Sequence, residues 1–478
     1  MASIVKSTKK AATGKRTGRA SDIVAVNTTV VERGNLEQRF HRGRAHREAL
    51  SRAALGELET GKRKIDVIGI LQEFEKNRVP ELLPVKYKRM SASPFAFFRG
   101  SVGLMVADLA RLPHTGIMVQ LCGDAHVQNL GSFAGPDGRL LFDVNDFDET
   151  IAGPWEWDVM RMATSIVLAG RDSGHRKSGC AEAVAAFGVA YQGAITELAS
   201  MPLLAAARHR TNWDKSKPVS GAIAQSRRAQ PFDLLQKYTT TDAAGSVVFH
   251  ETRPDLRRAT SKEKAAVLAA LPAYRRSLAP ERRHIFDFFQ PADVAFKIVG
   301  TGSVGSRDWV VLMFGNGPSD ALFLQIKQEV ESAYTGALGR TGHDHQGQRV
   351  VDGQRRIQAF SDLLLGWTTI GKYQYLVRQL NDRKGSIDIK KLKGEGLQEL
   401  ATVAGELLAH GHARSGDAIE LLGYVGNGER VTQSLVEFGL GYADLVEKDF
   451  EVFQKAIERR KIVVADDAEA APPVFSKG

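Results

Sequence analysis

The sequence predicts an α+β protein with a small antiparallel sheet lobe and a large helical lobe. Apolar residues recur at helix spacing from about Asn35 to Leu83 and again from Leu392 to Arg460. At Asp293 the texture changes to short β-rich runs separated by Gly, Asn and Pro turns, the pattern of an antiparallel meander. A chain of 478 residues, 43% hydrophobic and 25% charged, has the composition of a globular protein of two or three cores or one large enzyme.

Val67, Ile70, Leu71 and Phe74 mark an early helix, and Pro94 is placed to open another through Phe98, Leu104 and Leu109. Met118–Leu121 reads as a short strand, Gly135–Gly138 as a turn, Arg139–Phe147 as a returning strand, and Trp155–Leu168 as a helix. Residues 171–290 look mainly helical. Val294–Val299, Trp309–Phe314 and Ala321–Lys327 are then three strands, with Gly300–Ser306 a glycine-rich loop between the first two. A helix over Gln348–Leu364 and strands near Trp367 and at Tyr373–Leu380 complete this part. The boundaries expected are a flexible basic tail at 1–34, a helical lobe at 35–290 containing a hairpin (118–158) and a helical insertion (171–290), an antiparallel lobe at 291–390, C-terminal helices at 391–462, and a flexible tail at 463–478.

The net charge of +10 suits an anionic ligand, but Lys6, Lys9, Lys10, Lys15, Arg16 and Arg19 all precede the first acid, Asp22. The body is therefore only mildly basic, and charge alone does not make the chain a nucleic-acid binder. No run of about 18 apolar residues predicts a membrane span, and no apolar leader is expected. Two cysteines, Cys122 and Cys180, are too few for a disulfide framework or a zinc site, so a reducing cytoplasm is the expected setting.

Chemistry concentrates in Cys122-Gly123-Asp124-Ala125-His126-Val127-Gln128-Asn129, followed by Asn145-Asp146-Phe147-Asp148 and Gly153-Pro154-Trp155-Glu156-Trp157-Asp158. An Asp followed five positions later by Asn is the spacing of a kinase catalytic loop, where the Asp takes a hydroxyl proton and the Asn holds Mg²⁺. A bland alternative is a hairpin end whose Asp and Asn satisfy backbone donors. Asp146, ending the second strand, would place another carboxylate beside the loop. Asp143 is its rival, and strand alternation sends the two to opposite faces. Gly300-Thr301-Gly302-Ser303-Val304-Gly305 lies between two strands, which suits a flap over phosphates and not a dinucleotide fold, where a helix must follow. Lys327 ends the third strand, where a kinase places its phosphate-pairing Lys. Its carboxylate partner is expected on the next helix, with Asp352 best placed and Glu331 and Glu329 as rivals. His343-Asp344-His345 reads as a polar loop more readily than as a metal site.

From Asp146 to Asp158 the spacing resembles, without gaps, the aminoglycoside-phosphotransferase-like branch of the kinase superfamily. Asp124, His126, Asn129, Asp146, Phe147, Gly153, Pro154 and Asp158 stand at matching positions, while Cys122 replaces the loop's leading His. The resemblance implies a kinase-like two-lobed fold using ATP and Mg²⁺. Asp124 and His126 would be catalytic, Asn129 and Asp146 metal ligands, and Gly300, Gly302, Ser303, Gly305, Lys327 and Asp352 the nucleotide-binding set of the 291–390 lobe. The glycine loop and Lys follow the catalytic Asp, the reverse of the usual order, which implies a circular permutation. Permutation is tolerated when the original termini lie close together. One site would then require Lys327 and Asp146 within about 10 Å, and Asp158 should hold the Cys122–His126 backbone.

Longer runs are similar to a bacterial family of uncharacterised proteins, the domain of unknown function 2252 family. They are Arg89-Met90 with Ser93-Pro94-Phe95-Ala96-Phe97-Phe98-Arg99-Gly100, Cys122 to His126, Asn145 to Thr150, Gly347 to Val351 and His412-Ala413-Arg414-Ser415-Gly416-Asp417. Arg89 and Arg99 are candidate phosphate or carboxylate partners without a defined role. The expected function is phosphoryl transfer to a small-molecule hydroxyl. A pseudokinase-type nucleotide sensor or scaffold is the alternative, and a nucleic-acid-associated protein a third.

Overall fold

The computed structural model describes residues 33–58, 63–211, 216–228, 231–252, 256–298, 304–380 and 384–465. The chain divides at Asn35, and residues from Leu36 onward form one compact unit of mixed α+β structure. The expected basic tail falls almost wholly outside the described residues.

The helical part is built around Trp155–Asp172, whose side chains are buried continuously from Trp155 to Gly170. A helix that is buried all round must be enclosed by others. Here Lys177–Ser200, Gly396–Ser415 and Glu429–Glu458 pack with it, and Phe187, Leu408 and Phe438 belong to the same core as Ile166 and Val167. The helix expected from Pro94 to Leu109 breaks into Pro94–Gly100 and Val102–Leu109. At the break the Ser101 hydroxyl donates to the Phe97 carbonyl at 2.7 Å, a local bond that competes with helix continuation.

Thirteen strands are described. The early hairpin region holds β1 (Met118–Leu121), β2 (Leu130–Ala134), β3 (Leu140–Val144) and β4 (Ile151–Pro154). The 171–290 stretch is not purely helical, because β5 (Thr239–Thr241), β6 (Val247–Phe249) and β7 (Leu256–Arg258) lie in it. Three-residue strands leave too little alternation to register in sequence. The meander comprises β8 (Gln290–Lys297), β9 (Asp308–Phe314), β10 (Ala321–Glu329), β11 (Gly366–Ile370) and β12 (Tyr373–Gln379). Last, β13 (Gly385–Ser386) pairs with β2. The main sheet runs β11-β12-β10-β9-β8-β7 with every pair antiparallel, so β7 extends it beyond the expected start at 291.

Both faces of this sheet are covered. On β10, Leu322, Leu324 and Ile326 enter one apolar cluster with Trp309 and Tyr375, while Phe323 faces another with Val310 and Leu312. Lys327 shares the Phe323 face by alternation, opposite Asp308 in register. After β10 and the single helical turn Thr335–Leu338, the helix Gln346–Ile357 packs against β10, β11 and β12. The tail expected from 463 is docked at its start, since Ala465 is buried and its N–H donates to the Pro84 carbonyl.

Candidate functional site

Strand β1 delivers the chain into the 122–129 loop, and the loop's shape is imposed from below. Gly123 has φ +88, and a Cβ there would lie 2.3 Å from the Glu149 carbonyl oxygen, so no side chain fits. Asp158, 1% exposed, accepts from the Cys122 N–H at 2.8 Å and the Gly123 N–H at 3.0 Å, the expected brace. His412 Nε2 stands 3.4 Å from the same carboxylate, and its Nδ1 meets the Tyr191 hydroxyl at 2.8 Å. The Tyr334 hydroxyl donates to the Gly123 carbonyl at 2.5 Å, and Ser165 Oγ accepts from the Val127 N–H at 3.0 Å.

Asp124 emerges from this frame with a partner the sequence reading missed. Arg161, fully buried, places Nε 2.7 Å and Nη2 2.5 Å from Asp124 Oδ1 and donates from Nη2 to the Phe98 carbonyl. The signal was its position one helical turn after Asp158, on the same face. Burial raises the Asp124 pKa and Arg161 works against that rise. His126 Nε2 lies 3.7 Å from Asp124 Oδ2, and burial pushes its imidazole well below the usual value, so it is neutral. The Asn129 amide donates to the Asp124 carbonyl at 2.8 Å.

Lys327 meets the early hairpin. Its ammonium, 3% exposed, is 3.3 Å from Asp146 Oδ1 and 2.6 and 2.5 Å from the two oxygens of Asp148. The Lys327–Asp146 distance is well inside the expected reach. Asp148 was not foreseen as a partner. At Asp146 burial opposes ionisation but Lys327 and Arg378 outweigh it, holding the carboxyl below its usual range. Asp148 is pushed up, by burial and then by the Asp146 charge. Lys327 is raised: burial alone would lower it, and the two carboxylates reverse the direction.

Asp352 does not pair with Lys327, contrary to expectation. Half-buried on its helix, it accepts from His343 Nε2 at 3.0 Å, and Glu331 pairs with Arg340. Of the rivals, Glu329 is buried and senses Lys327 electrostatically, while burial raises its pKa well above the ordinary value. The 343–345 segment is structural, since His345 caps the following helix through Nδ1 and the Gln348 N–H. Asp143 lies on the other side of β3, lining a cavity of about 470 Å³ with His410 and Arg414, so it is not a partner of Lys327. Gly300, Gly302 and Ser303 lie outside the described residues. Gly305, at φ +96, accepts from the Val79 N–H at 2.7 Å, and the Arg78 guanidinium holds the Val304 carbonyl at 2.7 Å.

Two of these residues have the donor chemistry Mg²⁺ requires. The Asn129 nitrogen is spent on the Asp124 carbonyl, leaving its amide oxygen, and Asp146 adds a carboxylate held ionised. Two hard oxygens suit a site completed by phosphate oxygens and water. Among the described residues no group of three or more His, Cys, Asp or Glu is arranged as an all-protein metal site.

The model of a family described as "Uncharacterized protein conserved in bacteria (DUF2252)" matches residues 78–456. The chain belongs to the DUF2252 family. No curated protein and no solved structure matches it. The DUF2252 match spans both halves of the site, from Arg99 and Asp124 to Lys327 and His412. The His412–Asp417 run can be read physically in this DUF2252 chain. His412 supports Asp158, Arg414 donates to the carbonyls of Ile357 and His209, and Asp417 caps the Ala418–Val425 helix while pairing with Arg39. No helix among the described residues is long and apolar enough to cross a membrane.

Proposed function

We propose that this protein is a kinase-like phosphotransferase with its motifs in permuted order, transferring the γ-phosphoryl group of ATP to a hydroxyl of a small molecule. The observation that carries the reading is the ion pair of Lys327 with Asp146 and Asp148, groups separated by about 180 positions in sequence. Strands β8, β9 and β10, with a glycine-rich sequence between the first two and Lys327 near the end of the third, support the same reading, since a kinase arranges its nucleotide half in that order.

In the proposed reaction the acceptor oxygen attacks the γ-phosphorus and the bond from that phosphorus to the bridging oxygen breaks. ADP leaves with that electron pair, and the acceptor proton passes to Asp124. Arg161 fixes the Asp124 carboxylate through Oδ1, leaving Oδ2 to face the acceptor beside neutral His126. Lys327 pairs with the phosphates, and Asn129 and Asp146 are the residues that would hold Mg²⁺, which when bound neutralises phosphate charge. The test is thermal stabilisation by ATP with and without Mg²⁺, paired with assays of transfer. A ligand at 100 times its dissociation constant stabilises by about 2.7 kcal/mol, which is readily measured. Asp124→Asn should keep nucleotide binding and lose transfer by at least about 100-fold, the scale of a general base. Full turnover by that variant would refute the assignment.

A nucleotide sensor without transfer is the second reading, favoured by the grip of Arg161 on Asp124 and by Cys122 at the loop's leading position. Mg²⁺-dependent ATP binding with no turnover against water or a panel of hydroxyl compounds would select it.

A further inference from the structure

The Pro94–Gly100 helix is a sequence motif whose chemistry the preceding reading leaves unused. Phe95, Phe97 and Phe98 are all buried in the main core, so the helix is fixed in place, and the Phe98 carbonyl is one of the groups that hold Arg161. Arg99 is the polar residue of this run. Its guanidinium lies 5.9 Å from the centroid of the Phe95 ring, and that ring meets His126 edge-on at 6.5 Å.

Arg99 Nε is buried without a hydrogen-bond partner, and among the described residues the guanidinium makes no ion pair. Burial is the largest influence on it and lowers its pKa, while the charges that act in the opposite direction are Asp124 and Asp146. The contrast with Arg161 is informative. Arg161 closes on Asp124 directly, whereas Arg99 senses both carboxylates and bonds to neither. A partly desolvated guanidinium with an open donor, carried on a helix anchored in the core, suits planar, bidentate recognition of an oxyanion.

We propose that Arg99 binds the phosphoryl group during its transfer, between Asp124 on the acceptor side and Asp146 on the nucleotide side. The inference rests on the phosphotransferase reading and adds to it a second cation beyond Lys327. Charge spreads over the three equatorial oxygens of the phosphoryl group as it moves, and an arginine donated within the same chain stabilises that charge.

The full-length chain is tested by thermal shift and calorimetry with Mg²⁺ and ADP, then with Mg²⁺, ADP and aluminium fluoride as a mimic of the transferring group. The wild type should bind the fluoride complex at least tenfold more tightly than ADP alone. Arg99→Ala should keep its ADP affinity and lose that gain, and Arg99→Gln, which keeps the side chain's bulk, should do the same with an unliganded melting temperature near wild type. Retention of the gain in both variants overturns the proposal, as does an equal loss of affinity for ADP itself. If the wild type binds no nucleotide, inorganic phosphate is the direct probe. Stabilisation of the wild type by phosphate that Arg99→Ala lacks keeps the anion site and removes the nucleotide reading. No response of the wild type to phosphate removes both.

Discussion

Asp158 does its work without facing the site. Its carboxylate satisfies the N–H groups of Cys122 and Gly123 in a place water does not reach, and Gly123 can pass there only because it has no Cβ. Asp158→Ala should orphan both donors, at about 1–3 kcal/mol each, and leave His412 facing a void. Urea denaturation should show a lower midpoint with an unchanged slope, and Asp158→Asn should recover little, because its amide nitrogen must face one of the two N–H groups. A midpoint unchanged in both variants would show that the loop does not depend on this carboxylate. The brace was legible in sequence because its distance from the loop is fixed by one hairpin and the start of one helix. Arg161 and Asp148 were not. A second Asp after a strand carries no local signal of its partner, and Arg161 carries only its place one turn after Asp158; the folded chain supplies the partners, Lys327 and Asp124.

Among the elements, a buried guanidinium clamps the 146–150 segment to the end of β10, alongside the Lys327 ion pair and the bonds of Ser332 and Ala333 to Glu149. Arg349, 2% exposed on the Gln346–Ile357 helix, donates to the carbonyls of Thr150 at 2.7 Å, Asp148 at 2.8 Å and Val330 at 2.9 Å, and to Gln346 Oε1 at 2.7 Å. A lysine cannot present donors in that planar fork. Arg349→Lys should therefore cost several kcal/mol, on the scale of two or three lost charge-assisted hydrogen bonds at about 1.5–3 kcal/mol each. Hydrogen exchange should accelerate over residues 146–150 before it does in Trp155–Asp172, and uniform exchange through both would contradict a local clamp. The meander strands were legible because their apolar runs are bounded by turn residues. The helix that follows was legible as an element but not as a partner: its facing residue is Arg349, bound to backbone, where a carboxylate paired with Lys327 was expected.

Across the molecule, burial of carboxyl groups gives stability a direction in pH. Glu156, 1% exposed in the first turn of Trp155–Asp172, accepts from the Thr115 N–H at 2.6 Å and its hydroxyl at 2.9 Å. Burial nevertheless pushes its carboxyl up from 4.5 to about 7. Asp308, on the β9 edge of the Lys327 site, is likewise pushed up from 3.8 to about 7 by burial, with Gln325 and Lys327 opposing. A carboxyl raised in the folded state holds a proton that the unfolded chain has released. Its contribution is complete below the unfolded value and erodes as pH rises through the folded one. Between about pH 4.5 and 7 these two groups should make the protein progressively less stable. Asp146, held low by Lys327 and Arg378, acts in the opposite sense and only at strongly acid pH. Glu156→Gln keeps an oxygen for the Thr115 N–H and carries no charge to desolvate. Its denaturation midpoint should match wild type near pH 5 and exceed it at pH 8, and Asp308→Asn should show the same divergence independently, the two sites being served by different partners. Parallel profiles for wild type and both variants from pH 5 to 8 would mean that neither carboxyl changes its protonation on folding.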